Sequence, residues 1–449
     1  MSDLSVKEVK NSTEATDNAV CKIPGGGFLR GTVNIPPSKS AAHRAMLCAA
    51  LADGRSVLSP IELSNDMKAT INAIKALGAR VQLSDDTLTI DGIGGQYGDA
   101  SGEPVSINCI ESGSTLRFII PIACAAGING RFIGEGTLVS RPIGLYSQLL
   151  PKAGVECFSN GGLPLVCKGK LQSGSYEMPG DISSQFITGM LMALPLCSGD
   201  STVTLTTPLQ SSAYVDMTLS CMEDFGVTVK RTETGWFIPG GQNYLPRDYT
   251  VEGDWSQAGF FLAAGAIGGE QGEIILRGLR LDSAQGDKAA IGLFRGFGAE
   301  IELSHDEITV RSGSLHSQHI NAGQIPDLVP CLAVCAALCE GTTVIDHAER
   351  LRIKESDRLT STAAMINSFG GKAEVTDDGL IIHGVRRFKG GIIHGYRDHR
   401  IVMSAAVGAL CACGEVTVTT PYSVNKSYPS FFEVYNSLGG KADVIDMGK

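Results

Sequence analysis

One phrase recurs through the chain and narrows what it can fold into: an amphipathic run, an apolar residue, Gly, a second small or apolar residue, then a β-like stretch. It reads Ala76-Leu77-Gly78-Ala79, Lys152-Ala153-Gly154-Val155, Asp224-Phe225-Gly226-Val227, Gly296-Phe297-Gly298-Ala299, Ser368-Phe369-Gly370-Gly371 and Ser437-Leu438-Gly439-Gly440. Successive glycines of this set, at 78, 154, 226, 298, 370 and 439, lie 69 to 76 residues apart. A fixed period means one supersecondary unit used repeatedly. Each Gly follows apolar residues at helical spacing, such as Ile71, Ile74 and Leu77. Gly is expected there as the C′ residue of a helix, where φ must be positive.

After most of these glycines the pattern changes to a strand, a polar turn and a second strand. Ala373–Val375, Asp377-Asp378-Gly379 and Leu380–His383 make one such hairpin, and Asp-Gly is a strong hairpin turn. Each unit also holds a nearly all-apolar helix: Ala45–Ala52, Phe118–Ala126, Phe186–Leu196, Ala258–Ile267, Leu328–Cys339 and Val402–Cys413. Such helices belong in a domain centre. The unit therefore reads strand, buried helix, strand, outer helix, hairpin, or βαβαββ, an α/β arrangement repeated six times. At 449 residues the chain exceeds one hydrophobic core, so three units to a domain is expected. The last copy runs out near Val444, whereas β-like Phe28–Leu29 and Thr32–Ile35 precede the first buried helix. The N-terminal strands are therefore expected to complete the C-terminal domain. The expected domains are 20–37 plus 254–449, and 38–253, after a mobile tail over 1–19.

Net charge is -10, and no basic stripe with interleaved aromatics exists, so nucleic acid is not an expected partner. Apolar runs reach about a dozen residues, too short to span a bilayer. The first residues, Met1–Val20, have no apolar region like that of a signal peptide. Thirteen cysteines are scattered, with no CxxC pair and no His at zinc-finger spacing. Reduced, structural thiols in a cytoplasmic protein are expected, with no metal.

The polar residues gather at the starts of the buried helices: Ser38-Lys39-Ser40-Ala41-Ala42-His43-Arg44, Glu111-Ser112-Gly113-Ser114-Thr115-Leu116-Arg117, Gly180-Asp181-Ile182-Ser183-Ser184-Gln185, Gly253-Asp254-Trp255-Ser256-Gln257, Ile325-Pro326-Asp327 and Arg397-Asp398-His399-Arg400. Ser and Asp there can simply cap helices. Capping does not explain Lys39, Arg44, Arg117 and Arg400, because a cation at a helix start opposes the dipole unless an anion joins it. Ser140-Arg141-Pro142, Ser211-Ser212-Ala213-Tyr214 and Asn425-Lys426-Ser427-Tyr428-Pro429 stand before outer helices. So does the charge run Arg350-Leu351-Arg352-Ile353-Lys354-Glu355-Ser356-Asp357-Arg358. A charge run alone is usually a solvated, salt-bridged turn. Its recurrence at equivalent places in a repeat points instead to an anion-binding cleft between two domains.

These motifs resemble the enolpyruvyl transferase family, most closely its branch that acts on shikimate 3-phosphate, over about Val20 to Ala442. The residues carrying the likeness are Pro37-Ser38-Lys39-Ser40 with Arg44, Ser112–Arg117, Arg141-Pro142, Gly180–Gln185, Arg352–Arg358, Asp398-His399-Arg400, and Lys426 before Ser427-Tyr428-Pro429. The resemblance implies a two-domain fold of six βαβαββ units, an inside-out α/β barrel in each domain. It implies transfer of the enolpyruvyl group of phosphoenolpyruvate (PEP) to the 5-hydroxyl of shikimate 3-phosphate, with no cofactor, in a monomer.

Carried over residue by residue, the resemblance implies that Lys39, Ser40, Arg44, Ser183, Ser184, Gln185, Ser211, Tyr214, Asp327 and Lys354 hold shikimate 3-phosphate. Lys39, Gly113, Arg141, Gln185, Arg358, Arg400 and Lys426 would hold PEP. Asp327, Glu355, Lys39, His399 and Lys426 would form the catalytic set. Two substrates with two phosphates and two carboxylates need several cations, and Arg offers a fork to each. Addition to PEP and elimination of phosphate need protons moved in both directions, which paired carboxylates beside a Lys can do. Arg352 and Asp357 are expected to hold the turn locally. Glu111, Ser114, Phe118 and Arg350 depart from the common pattern. Gly113 leaves room beside PEP, so glyphosate is expected to compete with PEP. The branch acting on UDP-N-acetylglucosamine is a rival, but its loop usually carries a reactive Cys where Gly134–Ser140 has none. A non-catalytic anion binder would have lost Asp327 and Glu355, and both are present. A cleft lined with like charges is expected to close when shikimate 3-phosphate arrives.

Overall fold

The computed structural model describes residues 18–447. Among these, strands form six four-stranded sheets that share one internal order. In the sheet nearest the charge run, His319–Asn321 runs parallel to Thr342–Asp346. That strand pairs antiparallel with Leu380–His383, which pairs antiparallel with Lys372–Val375. The last two make the hairpin that the Asp378-Gly379 turn demands. The parallel pair requires a crossover, and the buried helix supplies it.

Helices alternate between buried and outer ones. In chain order they are α1 (Lys39–Leu51), α2 (Asn65–Ala76), α3 (Gly113–Ala125), α4 (Gly144–Leu149), α5 (Ser184–Ala193), α6 (Ser212–Asp224), α7 (Trp255–Ile267), α8 (Ala290–Gly296), α9 (Val329–Ala336), α10 (Arg358–Ser368), α11 (His399–Ala409) and α12 (Phe431–Ser437). Every residue of α7, α9 and α11 is buried, as near-continuous apolar sequence requires. All six repeat glycines have positive φ, between 76° and 110°. Any residue with a Cβ would be strained there.

The chain separates into two compact units. One holds the described residues up to Pro36, Gly253–Ser283 and the described residues from Asp287 onward; the other holds Pro37–Glu252 and Ala284–Gly286. Strands reach across the sequence to complete sheets. Ala19–Ile23 lies between Val416–Thr419 and Asp443–Asp446, antiparallel to both. Arg30–Asn34 pairs parallel with Glu273–Arg277, and Asp248–Thr250 with Arg55–Ser59.

Four boundaries differ from the sequence reading: Pro37 and Gly253 each group with the unit that follows them, one residue away from the expected cuts, and two differences are larger. Of the expected tail over 1–19, residues 1–17 lie outside the described residues. Ala19, however, already belongs to a strand, because pairing on both edges satisfies its backbone and buries Ala19, Cys21 and Ile23. Ala284–Gly286 groups with Pro37–Glu252 rather than with the residues around it. Buried Gln285 holds it there, accepting from Ser38 Oγ at 3.3 Å. No local pattern in Ser283-Ala284-Gln285 announces that excursion.

Candidate active site

The buried helices other than α9 begin earlier than their apolar runs do. Ser38 caps α1 by accepting from Ala41 N, Ser112 caps α3 through Thr115 N, and Ser183 caps α5 through Gln185 N. Asp254 and Asp398 cap α7 and α11 in the same way. Lys39, Ser40, Gly113, Gln185, His399 and Arg400 therefore sit in first helical turns, where backbone N–H groups have no helical partner. Backbone strain collects just upstream. Ile110, Ser211, Tyr396, Arg397 and Thr420 have φ between 50° and 54°, unusual for residues with a Cβ. Such outliers persist where surrounding structure enforces them, often at functional sites.

In the unit built on Pro37–Glu252, Arg44 is buried within α1. Its Nε donates to Thr218 Oγ1 (2.8 Å), Nη1 to Ser40 O (2.7 Å) and Nη2 to Tyr214 O (2.8 Å). Burial pulls its pKa down to about 10. Lys39 pairs with Asp66 Oδ2 at 2.8 Å. Gln185 is gripped at both ends: Oε1 accepts from Arg117 Nη1 (2.5 Å), and Nε2 donates to Ser114 Oγ (2.8 Å). Arg141 is buried, and its Nη1 lies 2.9 Å from where a Cβ on Gly113 would stand. Ser184 and Ser211 are buried, while Ser183 and Tyr214 are half-buried. Pro121 inside α3 lacks an N–H, which releases the Arg117 carbonyl four residues earlier. Tyr146 OH donates its one proton toward that carbonyl at 2.6 Å, with Phe186 O also within reach at 3.0 Å.

In the other unit one carboxylate gathers the cations. Asp327 Oδ1 meets Arg358 Nη1 at 2.9 Å and Lys354 Nζ at 3.6 Å, while its Oδ2 meets Arg400 Nη2 at 3.1 Å. Arg358 also donates from Nε to Asp398 Oδ2 (2.7 Å) and from Nη2 to Glu355. Burial pushes the Asp327 carboxyl up, but Arg400, Lys354 and Arg358 together outweigh it and hold the group well below the usual carboxylate range. Burial lowers Lys354, with Asp327 opposing. Arg400 further donates to Ser256 Oγ at 2.9 Å, and Ser256 Oγ donates to Asp254 Oδ1 at 2.5 Å. His399 is buried with Nδ1 3.7 Å from Asp398 Oδ1. Lys426 is buried at the end of the 3-10 turn Pro421–Lys426, and the next residue, Ser427, accepts from Gln257 Nε2 at 3.1 Å.

The structure thus brings Asp327, Lys354, Glu355, Arg358 and Arg400 into one cluster, and Arg44 with Ser40 and Tyr214 into another. Arg352 and Asp357 do pair locally, at 3.3 Å. The residue roles implied by the resemblance do not include Asp66, Ser114, Ser256 or Asp398, and Arg117 enters the sequence reading only as a helix-start cation that capping does not explain. Asp398 stood in plain view between Arg397 and His399 but reads as a mere cap, which it also is. The departures gain places too. Glu111 accepts from Thr137 N (3.1 Å) in the turn before Arg141, and Arg350 Nη2 donates to Gly323 O (2.8 Å) upstream of Asp327. No group of His, Cys, Asp and Glu that could hold a metal occurs among the described residues. No helix there is long and apolar enough to cross a membrane.

Comparison with known proteins agrees over nearly the whole chain. The family model described as EPSP synthase (3-phosphoshikimate 1-carboxyvinyltransferase) matches residues 23–435. A 3-phosphoshikimate 1-carboxyvinyltransferase of Clostridium perfringens is 43% identical over 92% of this chain and 96% of its own. That of Clostridium novyi is 41% identical over 94% and 98%. The solved EPSP synthase of Acinetobacter baumannii superposes with a TM-score of 0.79 at 25% identity, covering 95% of this chain and 99% of the other.

Proposed function

The chain belongs to the EPSP synthase family, and from that premise we propose that it joins PEP to the 5-hydroxyl of shikimate 3-phosphate. The reaction releases phosphate through a tetrahedral intermediate and is the sixth step of the shikimate pathway toward chorismate and the aromatic amino acids. The Asp327 cluster carries this reading: one carboxylate among Lys354, Arg358 and Arg400, with Glu355 on the same Arg358. These are the cations two anionic substrates need and the carboxylates two opposed proton transfers need.

In the mechanism we propose, Lys39, Ser40, Arg44, Ser183, Ser184, Gln185, Ser211, Tyr214, Asp327 and Lys354 receive shikimate 3-phosphate. PEP takes Lys39, Gly113, Arg141, Gln185, Arg358, Arg400 and Lys426. Held ionised, Asp327 can accept a proton, but its cations make it a weak base. A PEP carboxylate drawing Arg358 and Arg400 toward itself weakens that hold and strengthens the base as the substrate arrives. Asp327 then takes the 5-hydroxyl proton, with Lys39 assisting. Glu355 protonates the PEP methylene to a methyl group as C2 gains the new C–O bond. In the second half Glu355 removes a methyl proton, the C–O bond to phosphate breaks, and Lys426 meets the departing charge. His399, buried beside Asp398, completes the catalytic set of this proposal. We place the enzyme in the cytoplasm, where its free thiols are at home.

Phosphate release with PEP plus either shikimate 3-phosphate or UDP-N-acetylglucosamine tests the reading. Release with the first acceptor alone is expected. Release only with the second would move the chain to another branch, and none with either would leave a non-catalytic anion binder.

A further inference from the structure

Arg44 is 3% exposed, and its hydrogen-bond acceptors are a hydroxyl and two carbonyls, none of which carries charge. A buried guanidinium normally requires a counter-charge. Here two aromatic faces stand in its place. The guanidinium carbon lies 5.3 Å from the centroid of Phe118, over its ring, and 6.0 Å from that of Tyr214. The negative face of an aromatic ring attracts a cation, most strongly where water is excluded. We propose that Phe118 is a positioning residue for Arg44, and through it a determinant of affinity for shikimate 3-phosphate. The proposal rests on the assignment of Arg44 to that substrate.

The surroundings make Phe118 a fixed support. Phe118 is 1% exposed in α3, and His43 of α1 meets it edge-on, with centroids 6.4 Å apart and planes at 89°. His43 Nδ1 lies 2.6 Å from Thr70 Oγ1, and Thr70 lies 2.8 Å from Thr115 Oγ1, one turn before Phe118. The hydrogen bonds of Arg44 are equally fixed, because Thr218 Oγ1 also donates to Tyr214 O at 2.9 Å and lies 2.9 Å from Thr188 Oγ1. Three hydrogen bonds set the guanidinium's place, and the rings set its tilt. Arg44 has five N–H groups and these bonds use three, so each terminal nitrogen keeps one N–H for a ligand. The neighbouring Arg117 lies over another ring, Phe186, at 5.0 Å, and serves Gln185. A change at Phe118 should therefore reach Arg44 without passing through the Arg117–Gln185 pair.

The test replaces Phe118 with mono-, di- and trifluorinated phenylalanine. These nearly keep its shape while draining the negative ring face. Phe118→Leu, which removes the ring, accompanies them. The dissociation constant of shikimate 3-phosphate measured by calorimetry without PEP, and its KM in the phosphate-release assay, should rise stepwise along the series. Phe118→Leu should reach roughly ten-fold, equivalent to about 1.4 kcal/mol. KM for PEP and kcat should change less than about two-fold, and the fluorinated proteins should keep the parent's melting temperature. A flat series, or an equal rise in KM for PEP, would overturn the proposal. If the parent itself releases no phosphate from these substrates, the assigned reaction fails instead. A parent that turns over with a flat series removes only the role of Phe118.

Discussion

Arg44, within α1, and Arg358, at the start of α10, are both buried guanidiniums, and their surroundings are opposite. Arg44 meets neutral oxygens and two rings, and burial lowers its pKa to about 10. Arg358 meets Asp327, Glu355 and Asp398; burial lowers it too, yet the three carboxylates more than reverse this and leave it above its ordinary value. The two sites therefore greet an anion differently. At Arg44 an incoming anion would find preset N–H groups with no carboxylate to displace. At Arg358 it must compete with carboxylates already in place, and two of those, in our mechanism, are the proton carriers. In the proposed mechanism the Arg44 cluster serves binding and the Arg358 cluster couples binding to chemistry.

The sharpest way to break this contrast is Asp327→Asn. It keeps the shape and removes the charge that Arg358, Arg400 and Lys354 share. Turnover should fall by about 10² to 10⁴, the usual range for losing a general base. KM for PEP should not rise, because two arginines lose a competitor. Near-full turnover at saturation with both substrates would remove Asp327 from its role. The same variant has a pH signature. The Asp327 carboxyl lies well below its ordinary 3.8 in the folded protein. Its stabilising contribution is complete above that ordinary value and is lost as pH falls toward the folded one. Urea unfolding below about pH 4 should accordingly show a shallower loss of stability in Asp327→Asn than in the parent.

How much of this contrast the sequence disclosed depends on range. The repeat glycines, the Asp378-Gly379 turn and the apolar helices are local signals, and they lead to the sheets and helices found. The resemblance supplied the names of the site residues, but not the pairing of Asp327 with Arg358 across 31 residues. Asp398 as the anchor of Arg358, and Phe118 under Arg44, depend on side chains 40 and 74 residues apart meeting in space. No spacing rule encodes such meetings. An apolar run alone places the start of α1 too late, because Lys39, Ser40, His43 and Arg44 are polar although helical; the caps at Ser38 and Ser112 are the sequence signal for the true starts of α1 and α3.

Two further substitutions probe the unit that holds Arg44. A Cβ on Gly113 would stand 2.9 Å from Arg141 Nη1 and 3.5 Å from Arg117 Nη1. Both are tips of flexible side chains, so Gly113→Ala should leave the melting temperature nearly unchanged and displace the cations instead. KM for PEP should rise roughly 10- to 100-fold, since small displacements of binding groups are costly. Stability lost without a change in KM would show the glycine to be a packing residue. Tyr146→Phe acts in the opposite way. It leaves the Arg117 carbonyl, already released by Pro121, without its buried donor. Unfolding free energy from urea titration should drop by about 1–3 kcal/mol with the slope unchanged.

The smallest effect is expected inside the same charge run as Arg358. Arg352 lies six residues earlier, and its side chain is 37% exposed where that of Arg358 is 2% exposed. It pairs with Asp357 at 3.3 Å and donates to Thr376 O at 2.7 Å. Water and salt screen such a pair, so Arg352→Ala should cost less than about 1 kcal/mol. Phosphate release should stay within about two-fold of the parent at saturating substrates. Asp357 keeps its own task, capping α10 through Thr360 N, whether or not Arg352 is present. A loss of turnover in Arg352→Ala comparable to that of Asp327→Asn would mean that burial does not divide this run, and that the charge of the whole segment acts as one field on the substrates.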